Sequence, residues 1–468
     1  MRRVPIAILI VAAACATSTH TTTTIAPAGA LTVTVAPADA ELYARARGIH
    51  DRVFTIDTHV DIPGAWSTTP QNDADSGTAQ VTFRKMKAGG LDGAFFAVFV
   101  GQGPRTAAGD SNAKRQAMQK FNGIHRSVDT LYHSKVEIAY QPEDVDQIIK
   151  RGKLVAAIGI ENGYVIGHDL SLIKTYYDLG ARYVTLAHTS NNDICDSSTD
   201  AKGPEHNGLS AFGREVVAEM NRVGMMVDVS HVSKQCMLQA TALSKAPVIG
   251  SHSSTTHVAN VPRNMDDEML LAIKQNGGVM QTVAFASYVK VLPAERAAAI
   301  TALQSEFYPA DSIAVWRARA DSLAAIAGAG AGGGRAGAGG GRGGAGGGGG
   351  GGGGRGRGGL PPLPADRQAE YTRRMAEISD KWPAASVRDF ADHIDHAVQV
   401  AGIDHVGISS DFDGGGGVVG WNNASETFNV TLELVRRGYT EPQIAKLWSG
   451  NLLRVWAENT RIARGLSR

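Results

Sequence analysis

The sequence predicts an α/β protein built as a (β/α)8 TIM-like barrel, interrupted by a disordered glycine-rich insertion. Three observations carry that expectation. Eight apolar runs of four to eight residues recur from about residue 50, each with β-branched or aromatic content. Continuous apolar runs of that length fit strands covered on both faces, as in a parallel sheet. Stretches with helical periodicity separate them, and most runs end in polar residues. Eight strands alternating with helices in roughly 400 residues suit a barrel. An open doubly wound sheet is the alternative, but no GxGxxG follows the first run, which weakens its dinucleotide-binding form.

The elements follow in chain order. Residues 1–15 read as a signal peptide: Arg2 and Arg3 precede a short apolar segment, Pro5 to Ala14, too short to span a bilayer. Ala12, Ala13 and Ala14 before Cys15 fit a bacterial lipoprotein cleavage site, with Cys15 lipid-modified and anchoring the chain to the membrane. Ordinary cleavage after Ala30 is the other reading. Either way the protein is expected to be exported, to the periplasm or the membrane surface of the cell envelope. Residues 16–40 are rich in Thr, Ala and Pro and read as a flexible tether, and residues 41–468 as the barrel.

The expected strands are Val53–Asp57, Gly93–Val100, Leu154–Ile160, Tyr183–Ala187, Met225–Val229, Pro247–Gly250, Gly278–Val283 and His405–Ser409. Among the helices, Ser210 can cap a stretch whose apolar residues are Phe212, Val216, Met220 and Val223, with Gly224 as the stop. Thr440-Glu441-Pro442-Gln443 is a capping-box pattern ahead of Ile444, Leu447 and Trp448. Residues 327–364 break the rhythm. Of the 56 glycines, 23 fall in residues 328–359, followed by Leu-Pro-Pro-Leu-Pro. Such a tract buries too little apolar area to offset its ordering entropy, so it is expected to be a disordered loop.

Composition excludes several functions. Lys+Arg 46 against Asp+Glu 45 gives a net charge of +1, which argues against binding nucleic acid by phosphate neutralisation. The Arg-Gly tract could meet RNA, but an exported protein encounters little of it, and no nucleic-acid role is expected. Three cysteines, Cys15, Cys195 and Cys236, rule out a disulfide-rich scaffold and a four-thiolate zinc site.

The chemistry gathers where the runs end: Asp57-Thr58-His59-Val60-Asp61, Ile160-Glu161-Asn162, Ala187-His188-Thr189, Ser230-His231, Ser251-His252 and Ser410-Asp411. Catalytic residues of barrels collect at this end of the strands. His59 and Asp61 are two apart, so in an extended chain both point to one side and can reach one ion. Imidazole nitrogen and carboxylate oxygen suit zinc. His231 and His252, on consecutive later strands, could serve a second ion. Glu161 could bridge two ions about 3.5–4 Å apart, and a shared water would become hydroxide near neutral pH. A lone strand-end histidine is more often structural; six such positions in register are not readily accidental. Asp57 is expected to orient a ligand, and Asp228 and Asp413 are unassigned. His168, His206, His257, His393, His396 and His405 fit no such register and read as surface or structural residues.

Together, DTHVD, GIENG, LAHTSNN, DVSHVS, SHSS and GISSDFDG resemble the membrane dipeptidase (renal dipeptidase) family, metal-dependent hydrolases of the amidohydrolase-like barrel group. The resemblance covers about residues 48–465 apart from the insertion. It implies two zinc ions per chain: His59 and Asp61 on one, His231 and His252 on the other, Glu161 bridging. It implies that His188 contacts the scissile carbonyl oxygen and that Arg263 anchors the substrate's carboxylate. Asp411 would bind the free amino group, and Asp411 or Glu161 would manage the proton passed to the leaving amine. It implies dipeptide substrates, tolerance of a D-residue at the carboxyl-terminal position, and a homodimer. Two rivals stand beside it. One is another binuclear amidohydrolase reaction, on lactones or phosphotriesters; Glu161 stands where such enzymes usually carry a bridging lysine. The other is a non-catalytic surface binder of metal or peptide.

Overall fold

Eight parallel strands follow one another in chain order around one sheet: β1 (Ile56–Asp61), β2 (Gly93–Phe99), β3 (Leu154–Glu161), β4 (Ala181–Thr185), β5 (Met226–Asp228), β6 (Ile249–Ser253), β7 (Val279–Val283) and β8 (Val406–Ser409). The structure, a computed structural model, describes residues 23–25, 33–35, 37–68, 72–309 and 362–466. Residues 1–15, read as an export signal with Cys15, and all but the last three residues of the glycine-rich segment 327–364 lie outside the described residues. The first and last strands meet through a parallel bridge between Val60 and Phe412. There Asp61 N donates to Phe412 O at 2.9 Å, and Asp411 N to His59 O at 3.1 Å. The sheet is a nearly closed barrel, as the apolar runs predicted. A short strand, Val136–Ile138, pairs with the start of β3 and was not expected.

Strand positions shift slightly, with a consequence. β1 begins at Ile56, not Val53, and β6 at Ile249, not Pro247. His59, Asp61 and His252 therefore lie within strands rather than beyond them. Pro247 has no N–H to give a ladder. In β1, polar residues that hydropathy assigns to a loop are buried in the barrel mouth.

The sequence also explains the interior. Ile56, Phe95, Val155, Ala157, Tyr183, Met226, Ile249 and Val279, one or two from each of seven strands, form one cluster with Leu452, Val455 and Trp456. A larger cluster packs helices against the outside of the sheet. Gly159 is needed in β3: a Cβ there would collide with the Tyr183 ring.

Both expected helix caps form. Ser210 Oγ accepts from Gly213 N at the start of Ala211–Val223, and Gly224, at φ 91°, closes it in the left-handed region. Thr440 and Gln443 make the capping box, but the helix Glu441–Ala445 passes through a π-helical turn, Lys446–Gly450, before Asn451–Leu466. The segment read as a tether carries structure: Thr23–Ile25 pairs antiparallel with Val33–Val35, and a helix begins at Pro37. Proline suits a first helical turn.

Residues Val291–Ala384 form a second compact unit. Its helices Ala294–Phe307 and Ala365–Lys381 share a small core of Leu303, Phe307 and Tyr308 against Leu363, Tyr371, Met375 and Ile378. No described helix is long and apolar enough to cross a membrane.

Candidate metal centre

Parallel strands in register bring their carboxyl ends to one rim, so distant residues converge. Glu161, the last residue of β3, sits at the centre. Its Oε1 lies 3.0 Å from His231 Nε2, 3.3 Å from His188 Nε2 and 3.4 Å from His252 Nε2. Its Oε2 lies 3.5 Å from His59 Nε2. Three overlapping groups have ligand atoms within 4.8 Å of one another: His59, Glu161 and His252; Glu161, His188 and His231; His59, Asp61 and Asp411. All the residues expected as ligands are therefore brought together. His188 approaches Glu161 as closely as the ligand histidines do, so distance alone does not set it apart. Its side chain is 17 % exposed against 8 % or less for His59, His231 and His252, which leaves it at the open side.

Backbone strain is concentrated here. His231 and Asp411 adopt φ of 67° and 57°, and Asn162 and Asp413 of 80° and 63°. Non-glycine residues in the left-handed region cost about 1–3 kcal/mol each and cluster at functional sites. Each of these turns follows a strand end. Gly414 must lack a side chain, because a Cβ would strike Asp411 Oδ1 and Asp61 Oδ2.

Hydrogen bonds set the histidine tautomers. Tyr183 Oη donates to Thr58 O at 3.1 Å and lies 2.8 Å from His59 Nδ1. With its proton committed, the hydroxyl accepts from Nδ1–H, which leaves Nε2 as the nitrogen that faces the site. That Nε2 is buried and has no hydrogen-bond partner. Ser251 Oγ donates to Asp228 Oδ2 at 2.6 Å and lies 2.7 Å from His252 Nδ1, with the same result. Asp228 also accepts from Thr185 Oγ1 and from the backbone N of Ser230 and Ser251. Asp228 thus supports a ligand through Ser251. Asp57, expected to orient a ligand, does not touch an imidazole. Its Oδ1 accepts from the backbone N of His59 and Ser410, tying β1 to the segment after β8. Asp413 holds the backbone N of Gln80 and Val81. Tyr183 and Ser251 were missed in the sequence: one reads as a strand aromatic, the other as a small polar neighbour.

The electrostatics fit a cation site. Burial pulls the His59 imidazole down, but Glu161, Asp411 and Asp61 outweigh it and raise its pKa to about 10. Burial pushes Glu161 up, yet His59 and His188 hold it well below the usual carboxylate range. Burial, with repulsion from Glu161, lifts Asp61 to about 6 and Asp411 well above its ordinary value. Three crowded carboxylates, two of them driven toward the neutral form, describe a site whose charge a bound cation would balance. The orphaned His59 Nε2 and the mixed imidazole–carboxylate donor set fit a divalent transition metal.

Arg263 is buried; Nη1 donates to Ser253 Oγ at 2.8 Å and Nη2 to His252 O at 2.6 Å. Its Nε has no partner. Cys195 and Cys236 are free and buried. His393 is structural, Nδ1 accepting from Thr255 N and Nε2 lying 2.9 Å from Val289 O.

Known proteins agree with this architecture. The family described as Membrane dipeptidase (Peptidase family M19) matches residues 43–468. Dipeptidase tcpJ of Claviceps purpurea is 28 % identical over 389 residues, 82 % of this chain and 70 % of its own. The crystal structure of the probable dipeptidase PvdM from Pseudomonas aeruginosa superposes with a TM-score of 0.70 at 30 % identity, over 90 % of this chain and 99 % of that one. A metallopeptidase from Rhodobacter sphaeroides, liganded with a phosphinate mimic of the dipeptide L-Ala-D-Ala, shares the fold: TM-score 0.61, 19 % identity, 87 % of this chain and 99 % of that one. The barrel, the convergent donor set and the family match together make this chain a member of the membrane dipeptidase family of metallopeptidases.

Proposed function

We propose that the protein is a zinc-dependent dipeptidase that cleaves the single peptide bond of dipeptides and tolerates a D-residue at the carboxyl-terminal position. The observation that carries this reading is Glu161 ringed by four imidazole Nε2 atoms at 3.0–3.5 Å, with Asp61 and Asp411 alongside. His59 and Asp61 would hold one zinc ion, His231 and His252 the other, and Glu161 both. Two such ions supply Lewis acidity for the carbonyl and a water made nucleophilic at neutral pH.

The chain's own residues do the rest. Arg263, with a free buried Nε, binds the substrate carboxylate, and Asp411 receives the ammonium. A longer peptide would leave one of these charges unpaired in a closed site, which costs several kcal/mol. As water adds to the carbonyl carbon, His188 donates a hydrogen bond to the oxygen that gains charge. Asp411, its proton affinity raised by burial, takes a proton from the attacking water and delivers it to the nitrogen as the C–N bond breaks. The reading of residues 1–15 as an export signal places this activity at the cell envelope. Purified protein should hydrolyse L-Ala-L-Ala and L-Ala-D-Ala but not Ala-Ala-Ala, lose activity with a chelator and regain it with zinc. Chelator-resistant turnover, or turnover of lactones or phosphotriesters alone, overturns the proposal.

A further inference from the structure

One charged side chain at the site is used by neither the metal centre nor the substrate's termini. Helix Ala107–His125 buries Ala113, Ala117, Phe121 and Ile124. Lys120 falls on the same stripe, three residues after Ala117 and four before Ile124, where an apolar residue is the ordinary choice. Its Nζ stands 5.6 Å from the centroid of the Phe99 ring. Phe99 ends β2, in register with Glu161, and its ring lies 4.7 Å from that of His188. The ammonium therefore sits against the wall of the site. Among the described residues it makes no ion pair or hydrogen bond; burial lowers its pKa, opposed by Asp61 and Glu161.

Both of those acids belong to the donor set, so bound cations would neutralise them and leave Lys120 without a counter-charge. Phe99 lies two residues beyond Ala97, the β2 partner of Asp61, and Asp61 groups with Asp411, the residue read as taking the substrate's amino group. Lys120 thus belongs to the half of the site that holds the amino-terminal residue. We propose that Lys120 is a specificity determinant that receives a side-chain carboxylate on that residue, so that the site prefers dipeptides beginning with Glu or Asp. This rests on the dipeptidase reading above.

The test uses full-length, zinc-loaded protein with Ala-Ala, Glu-Ala, Gln-Ala, Ala-Glu and Ala-Gln. Wild type should favour Glu-Ala over Gln-Ala by about tenfold in kcat/KM, mostly through KM, the size expected of a charge-assisted hydrogen bond in a partly wet site. Lys120→Met should erase that ratio, Lys120→Arg should keep most of it, and neither should change the Ala-Glu to Ala-Gln ratio. Equal use of Glu-Ala and Gln-Ala by wild type, or a ratio that survives Lys120→Met, overturns the assignment. So does an equal loss on both peptides, which would mean that Lys120 only balances Asp61 and Glu161. Ala-Ala turnover reports on the dipeptidase reading separately: without any dipeptide turnover both proposals fall, and with it only the lysine is at stake.

Discussion

Ser251 offers a sharp test of how the site is held. It neither faces an ion nor touches substrate in the proposed scheme, yet it links Asp228 to His252 Nδ1 through bonds of 2.6 and 2.7 Å. Ser251→Ala removes both. Asp228 keeps Thr185 and two backbone donors, so its loss is small. His252 Nδ1–H is left without a partner at a fully buried position, which costs about 1–3 kcal/mol. The imidazole can escape by moving its proton to Nε2, and that removes the lone pair an ion needs. Affinity for the ion on the His231–His252 side should fall about 10–100-fold, or about 1.4–2.8 kcal/mol. Tyr183→Phe does the same to His59 and should weaken the other ion. The assay is zinc titration of chelator-stripped protein against a chromophoric competitor, with circular dichroism to check folding. Each variant should show one tight and one weakened ion, and the double variant two weakened ions. Unchanged affinities in Ser251→Ala would refute the tautomer argument; equal weakening of both ions by either single variant would refute the pairing of ligands.

Three further outcomes follow from the geometry. Glu161→Gln should lower turnover by about a thousandfold or more, since bridging charge is worth several kcal/mol of barrier, while the circular dichroism stays native; wild-type activity would remove Glu161 from the mechanism. Arg263→Ala should raise KM about 10–100-fold for dipeptides with a free carboxylate and far less for their amides, and an equal effect on both would contradict the anchor role. Asp57 tests the electrostatics of the fold: burial raises its carboxyl to about 6. The folded state then holds this proton more tightly than the unfolded state, so its contribution declines as pH rises from about 4 to about 6, by up to about 3 kcal/mol. Relative to wild type, Asp57→Asn should gain stability across that window in denaturant titrations; a constant difference would show that the carboxyl is not perturbed.

The sequence made the barrel and the donor set legible for the same physical reason. Burying His, Asp or Glu is costly, so polar residues at the ends of apolar runs stand out against the strand pattern. His59, Asp61, Glu161, His188, His231, His252 and Asp411 were all visible that way, and the structure brings them together. Strand ends were less legible, because the same polar residues made β1 and β6 look shorter than they are. What holds the ligands was not legible. Asp57 looked like a support, but its carboxylate binds backbone. Of the actual supports, Tyr183 reaches His59 from β4 across the barrel, which spacing along one strand does not reveal; Ser251 is next to His252 in β6, where alternation along a regular strand would point the two side chains to opposite faces. Lys120 was missed because helical lysines are usually read as solvent-facing.

Tyr183 also shows that core and site are one structure. Its ring stacks on Phe95 at 5.5 Å within the inner cluster, and its hydroxyl holds His59. The ring fits only because residue 159 has no side chain. Gly159→Ala should therefore act on the metal centre without touching a ligand: the added methyl displaces the phenol, and His59 loses its Nδ1 partner. Overpacking alone would cost about 1–3 kcal/mol of stability. The discriminating measurement is zinc affinity, which should fall in Gly159→Ala for the same ion, and by a similar factor, as in Tyr183→Phe. In the combined variant the two losses should not add, because both act through one hydroxyl. If Gly159→Ala lowered the unfolding midpoint but left both ions bound as in wild type, the interior would be packing alone, and the orientation of His59 would have to come from elsewhere.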